Sequence, residues 1–301
     1  MNAPYLPRRE ARSRFLTLRG LRHHLLEWGE PDTSPAGQPP LVMLHGWMDM
    51  AASFQFAVDA LGAPRHCIAM DWRGFGQSEG GAVDAFWFPD YLGDLDALMD
   101  AVSPDAPVDL LGHSMGGNVV MSYAGIRPER VRRLVNLEGF GLPETRAEEA
   151  PERLTRWLDE LKKPVELKPY ASLADVAARL SKTNPRLPAD KAAWLAAQWS
   201  RQTPEGFELL ADAAHKRSNP ALYRKAEVLA CWARIAAPTL WVEGAATPFT
   251  SFWGGRYPRE DFEARLSVVP DLRRVVLADA AHMLHHDQPE ALARQLEAFL
   301  A

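Results

Sequence analysis

Short runs with little or no polar face recur through the first half of the chain, separated by helical segments. Leu41–Leu44 is wholly apolar, and residues 66–70, 108–111 and Val131–Leu137 follow as further strand-like runs. Residues 53–61, 91–102 and 118–126 lie between them. In the second of these, Leu92, Leu95, Leu98, Met99 and Val102 fall at helical spacing. A strand without a polar face has to be covered on both sides, and a helix between two such strands is the usual parallel crossover. The pattern predicts an α/β fold, a mostly parallel sheet with helices on both faces. Ahead of it, residues 15–18 and Leu21–Trp28 read as a hairpin about Gly20, and residues 30–40 as a loop rich in Pro, Gly and Ser.

The alternation stops after Gly139. Residues 142–236 read as mostly helical, with Trp157, Trp194, Trp199 and Trp232 among them. Strand-like runs return at 239–242 and 274–277, and Pro289–Leu300 reads as a closing helix. Asp287 with Glu290 fits a capping box there, and Pro289 suits the first turn. The expected organisation is one sheet domain in two parts, 1–140 and 237–301, interrupted by a helical cap at 141–236.

The 301 residues are ample for such a core. With 47% hydrophobic and 24% charged residues and a net charge of −5, the chain has no electrostatic footprint for nucleic acid or an anionic membrane. Its start does not read as a secretory signal, and no stretch is long enough to span a bilayer. A cytoplasmic protein is expected. Cys67 lies in a strand-like run as a buried apolar residue, and no disulfide with Cys231 is expected.

Residues Gly112-His113-Ser114-Met115-Gly116 match G-x-S-x-G, directly after a predicted strand and before a predicted helix. That context gives the pattern its weight. A serine on a tight strand-to-helix turn is lifted clear of the sheet, and small residues at Gly112 and Gly116 let neighbouring chain pack against the turn. The helix that follows aims its first amides at the reacting oxygen. His45-Gly46-Trp47 follows the strand at Leu41–Leu44 and would set a second amide opposite. The amides of Trp47 and Met115 are therefore the candidate oxyanion donors.

A nucleophilic serine needs a base, most often histidine. Among nine histidines, His282 follows the last predicted strand, at the same sheet rim as Ser114. His285 and His286 stand next to the final helix and read as packing or solvent-facing residues. His113 adjoins the serine but would point away from it.

The order of these motifs resembles the α/β-hydrolase family: His45-Gly46-Trp47, then Asp71-Trp72-Arg73-Gly74-Phe75-Gly76-Gln77-Ser78, then Gly112 to Gly116, then Ala281-His282. The resemblance covers residues from about 15 to 300, with the insertion where that family carries its cap. It implies an eight-stranded, mostly parallel sheet, a Ser–acid–His triad in that chain order, and no metal or organic cofactor. Asp71 and Arg73 resemble the family's structural turn after the fourth strand and are expected to form a buried hydrogen-bonded pair.

The acid departs from the common pattern. Many relatives carry an Asp just before a Pro after the seventh strand, where this chain has Thr247 before Pro248. Glu138, at the end of the sixth strand, is the preferred replacement, similar to the acid of the dehalogenase-like branch. Ser114 in place of that branch's Asp nucleophile argues against dehalogenase or epoxide-hydrolase chemistry. Glu243 is the second choice; Asp279, Asp261 and the absence of any acid stay open.

The expected substrate pocket is lined by Trp47, His113, Phe140, Phe249 and Trp253. A roofed aromatic site favours small or medium apolar carboxylic esters. The same triad also suits thioesters, amides, N-terminal proline peptides and carbon–carbon bonds, and a ligand receptor on a hydrolase scaffold is the alternative outside catalysis. The expected partner is a small-molecule substrate; neither nucleic acid nor membrane is expected, and a homodimer is left open.

Overall fold

The computed structural model describes residues 3–35 and 38–301. Strands and helices are numbered in chain order. The first part holds β1 (Arg12–Leu18), β2 (Leu21–Trp28), β3 (Leu41–Leu44), α1 (Gln55–Ala60), β4 (Cys67–Met70), α2 (Phe88–Val102), β5 (Val108–His113), α3 (Met115–Ile126) and β6 (Val131–Leu137). Then come α4 (Ala150–Leu161), α5 (Leu173–Thr183), α6 (Ala189–Trp199), β7 (Ser200–Thr203), β8 (Gly206–Leu209) and α7 (Lys225–Trp232). The chain ends with β9 (Thr239–Gly244), α8 (Phe249–Phe252), α9 (Arg259–Leu266), β10 (Leu272–Leu277), α10 (Leu284–Asp287) and α11 (Pro289–Leu300).

Eight strands form one sheet in the order β1-β2-β4-β3-β5-β6-β9-β10. β1 and β4 pair antiparallel to β2, and every other neighbouring pair is parallel. The apolar runs explain the layering. Val42 and Leu44 of β3, with Ile68 and Met70 of β4, face one core; Leu41 and Met43, with Cys67 and Ala69, face the other. β3, β4 and β5 are buried along their whole length. Each fully buried Val, Leu, Ile or Met in these layers contributes about 1.5–3 kcal/mol. Cys67 is buried, and both it and Cys231 are free thiols.

The segment between β6 and β9 is less helical than its sequence suggested, since β7 and β8 form an antiparallel hairpin within it. Residues 200–209 lack helical spacing, and Gly206 makes the turn at φ 129°. α5 and α6 close a small core of their own around Val176, Leu180, Leu187, Leu195 and Phe56, the last from α1. α4 buries none of its residues, and Leu154 and Leu158 stand exposed on it. Among the described residues, no helix is long and apolar enough to cross a membrane.

Two expected local contacts differ. Asp71 and Arg73 are both buried but do not pair with each other. Asp71 accepts from His24 Nδ1 at 2.7 Å, the Ala51 amide at 2.8 Å and the Gln77 amide at 3.0 Å. Arg73 instead makes a two-pronged ion pair with Asp94 of α2, at 2.6 and 2.5 Å. Burial alone would raise the Asp94 carboxyl, but its bonds to Arg73 and His23 hold it below the ordinary range. Asp287 does not cap α11; Gln288 stands at that position, with Pro289 in the first turn as expected.

The turn after β5 is packed to contact. A Cβ on Gly116 would lie 2.3 Å from the Leu44 carbonyl oxygen, and one on Gly112 2.4 Å from the Gly116 carbonyl oxygen. Both obstacles are backbone and cannot swing aside. Gly116→Ala is expected to lose about 1–3 kcal/mol or more, read from its urea unfolding midpoint; a midpoint equal to wild type would show that the turn can yield.

Candidate active site

All strands from β3 onward in the large sheet run parallel, so their C-terminal ends share one rim. Loops at such a rim are where open α/β sheets present functional groups. Ser114 stands there between β5 and α3 at φ 52°, ψ −113°, a backbone conformation that L-residues rarely adopt. Its amide donates to the Leu137 carbonyl at 2.8 Å, and its carbonyl accepts from the Asn118 amide at 3.0 Å. The strain is thereby held from β6 and from α3. Met115 opens α3, so its amide is one of the helix's unpaired first donors.

The 45–47 turn packs directly on the serine, since a Cβ at Gly46 would lie 3.1 Å from Ser114 Cβ. His45 holds this turn. Its Nε2 accepts from the Trp72 amide at 3.0 Å, so Nδ1 carries the proton and donates to the Gly46 carbonyl at 2.7 Å. Trp72 Nε1 donates back to the His45 carbonyl at 2.9 Å. Trp47 thus belongs to a turn packed on Ser114, and Met115 to the first turn of the helix that follows it.

His282 follows β10 on the same rim. Its Nε2 lies 2.9 Å from Ser114 Oγ, and its Nδ1 lies 2.7 Å from Glu138 Oε2. A carboxylate can only accept, so Nδ1 carries the proton and Nε2 is left to accept the serine hydroxyl's hydrogen. Glu138 directly follows β6 at φ 56° with its side chain fully buried. Its other oxygen accepts from the Gly244 amide at 2.7 Å and from the Thr247 hydroxyl. Thr247, at the position before Pro248 where the resemblance led to the expectation of an acid, thus donates to Glu138.

The other candidate acids point elsewhere. Glu243 pairs with Arg259 at 2.7 Å and with the Trp241 indole N–H at 3.3 Å. Asp261 pairs with Arg265 and Lys225, and Asp279 is exposed.

The pocket residues separate. Trp47 is 54% exposed beside the serine turn, and its Nε1 donates to the His215 carbonyl at 3.3 Å. Phe140 and Phe249 are buried against Phe262, with Phe140 also on Trp241 and Phe249 on Tyr257. Trp253 turns to Tyr257. Phe140 and Phe249 belong to the core and Trp253 packs against it, so these three do not line the pocket expected of them. The ring that faces His282 is Phe252, 5.2 Å away edge-on and 43% exposed. Sequence reasoning missed it because α8 is a single turn, too short to show a face. His113 is buried behind the site, and its Nε2 donates to the His282 carbonyl at 2.8 Å. Burial drives its imidazole well below the ordinary range. His285 and His286 are buried too, so neither is a surface residue.

Contacts at His215 and Asn184 are among those that tie the segment between β6 and β9 to this rim. His215 is stacked between Phe75 and Phe86, 3.7 Å from each ring centroid, and its Nε2 donates to the Arg73 carbonyl at 3.2 Å. Asp287 accepts from the Ala281 amide at 2.8 Å and from Asn184 Nδ2, at the end of α5, at 2.7 Å.

Comparison with known proteins agrees with this architecture. The model of the alpha/beta hydrolase fold family matches residues 39–289. The chain belongs to this family. A serine hydrolase-like protein of Danio rerio is 32% identical over 118 residues, 38% of this chain and 36% of the relative. The cis-3-alkyl-4-alkyloxetan-2-one decarboxylase of Shewanella oneidensis is 30% identical over 148 residues, 48% of this chain and 43% of the relative. The chain thus matches less than half the length of either curated relative. A hypothetical protein of Pseudomonas aeruginosa PAO1 superposes with a TM-score of 0.78 at 26% identity, covering 95% of this chain and 97% of its own. The thioesterase domain from the curacin biosynthetic pathway superposes with a TM-score of 0.82 at 24% identity, covering 96% and 99%, a likeness of fold.

The buried histidines of this α/β-hydrolase couple its stability to pH. Burial pushes His45 down to about 4 and His215 down to about 3. In the unfolded chain both titrate near about 6.5. Below that value the unfolded state binds more protons, so the stability present above it is lost as the pH falls toward the folded-state values. Two such groups give a slope of up to about 2.7 kcal/mol per pH unit. Urea unfolding at about pH 7 and about pH 5 is expected to show this loss, with a smaller loss in His215→Gln. Equal losses in variant and wild type would remove His215 from the explanation.

Proposed function

We propose that the protein is a serine hydrolase that cleaves small or medium apolar carboxylic esters through an acyl-enzyme on Ser114. The hydrogen-bonded chain from Ser114 through His282 to Glu138 carries the reading. His282 accepts the hydroxyl proton as Ser114 Oγ attacks the ester carbonyl carbon, and Glu138 stabilises the imidazolium that forms. The amides of Trp47 and Met115 hold the oxygen that becomes negative, and they act because they are fixed before charge develops. Collapse of the tetrahedral species expels the alcohol, which takes the proton from His282. A water then attacks the acyl-enzyme, giving its proton to His282, and Ser114 leaves with that proton as the acid is released.

The segment between β6 and β9 acts as the cap. It reaches the rim through His215 and Asn184, and the exposed rings of Trp47 and Phe252 give the mouth an apolar character suited to an uncharged acyl chain. The conformational strain at Ser114 is consistent with a residue held for chemistry rather than for packing.

Hydrolysis of para-nitrophenyl esters of graded acyl length tests the proposal. Ser114→Ala is expected to abolish turnover and labelling by a fluorophosphonate probe. Glu138→Gln should lower kcat by about 10²–10⁴ by favouring the wrong imidazole tautomer, while Glu243→Gln stays near wild type. Full activity in Glu138→Gln together with loss in Glu243→Gln would overturn the assignment of the acid, and an unreactive Ser114 would favour a receptor.

A further inference from the structure

Behind the His282 loop lies a buried group of side chains that the hydrolytic reading does not use. Asp49 follows the 45–47 turn, His113 ends β5 and His285 sits in α10; all three are buried. One ligand atom from each lies within 4.8 Å of the other two. Among the described residues, Asp49 Oδ2, His113 Nδ1 and both ring nitrogens of His285 have no hydrogen-bond partner.

The protons make this arrangement informative. Asp49 Oδ1 is already engaged, accepting from the Met50 amide at 2.8 Å and from the Ser53 hydroxyl. Oδ2 is the free oxygen. His113 donates through Nε2 to the His282 carbonyl, which can only accept, so a neutral His113 presents a lone pair at Nδ1. That lone pair faces Asp49 Oδ2 across 3.9 Å, too far for a direct hydrogen bond. With Asp49 ionised, two acceptors and an imidazole free to present a third face one another within 4.8 Å in a buried place. Leaving such groups unsatisfied costs about 1–3 kcal/mol each.

From this geometry we infer that Asp49, His113 and His285 form a binding site for a divalent transition-metal ion of the zinc class. Two imidazoles and one carboxylate are a donor set such ions favour, whereas calcium and magnesium prefer all-oxygen sites. At zinc's bond lengths, tetrahedral ligands stand about 3.3 Å apart. The three donors would therefore draw together by up to roughly 1.5 Å at the widest pair on binding the ion. The ion does not touch the reacting atoms. It fixes His113, and His113 holds the carbonyl of His282, so the metal acts as a brace for the loop that carries the imidazole. This site stands on its own geometry and does not require the proposed hydrolysis.

The full chain, stripped with a chelator in denaturant, is refolded with Zn²⁺ or with Co²⁺. One ion per chain is expected by equilibrium dialysis and elemental analysis, with a raised melting temperature. Co²⁺ should give the intense visible absorption of a four-coordinate site. Asp49→Asn and His285→Gln should each weaken binding at least about tenfold, while Ser114→Ala, which tests the hydrolase reading, should bind as wild type does. Absence of bound ion, the weak spectrum of octahedral Co²⁺, or unchanged affinity in both variants would overturn the site and leave a water-filled cluster. If the variants fail to refold, the wild-type Co²⁺ spectrum alone decides.

Discussion

The carboxylate of Glu138 is the joint on which the site is assembled. It gathers three donors from separate parts of the chain: the Gly244 amide at the end of β9, the Thr247 hydroxyl just beyond, and Nδ1 of His282 after β10. A buried carboxylate is costly unless its oxygens are satisfied, and these donors satisfy both. The same bonds fix the imidazole's tautomer and orientation. Stability and geometry are therefore not separate matters at this residue. Glu138 holds this position at a positive φ of 56°, directly after β6.

Much of the sheet was legible because its physics is local. β3 lies where its apolar run predicted, since a strand covered on both faces favours a continuous apolar composition, and β6 lies where its strand-like run did. Ser114 and His282 were legible for a different reason: parallel strands send all their C-terminal loops to one rim, so the chain order of two motifs already brings them near. Glu138 needed the resemblance as well, because nothing in residues 134–139 alone distinguishes a carboxylate that reaches an imidazole from one that anchors a turn.

The misreadings share a cause. Phe249, Phe252 and Trp253 are neighbours in sequence, yet one enters the core, one faces His282 and one turns to Tyr257. A single helical turn distributes side chains through all directions, and composition cannot say which is which. Asp71 and Arg73 were expected to pair from their likeness to the family's turn after the fourth strand, but the turn between them sends each to a distant element, Asp71 to His24 and Arg73 to Asp94. Asp287 had the spacing of a cap and was instead taken up by a tertiary contact. In each case short-range pattern was overruled by a partner far away in sequence.

That last contact has a consequence for how such proteins diverge. Asp287 holds the Ala281 amide with one oxygen and the side-chain amide of Asn184 with the other. The backbone beside the rim imidazole is thus fastened to a residue of the intervening segment. Exchanging that segment for another family member's would discard the Asn184 anchor and free one arm of Asp287, loosening the loop at a distance from every substituted residue. New selectivity acquired through this region has to arrive together with a donor at position 184, or with a compensating change in the last forty or so residues.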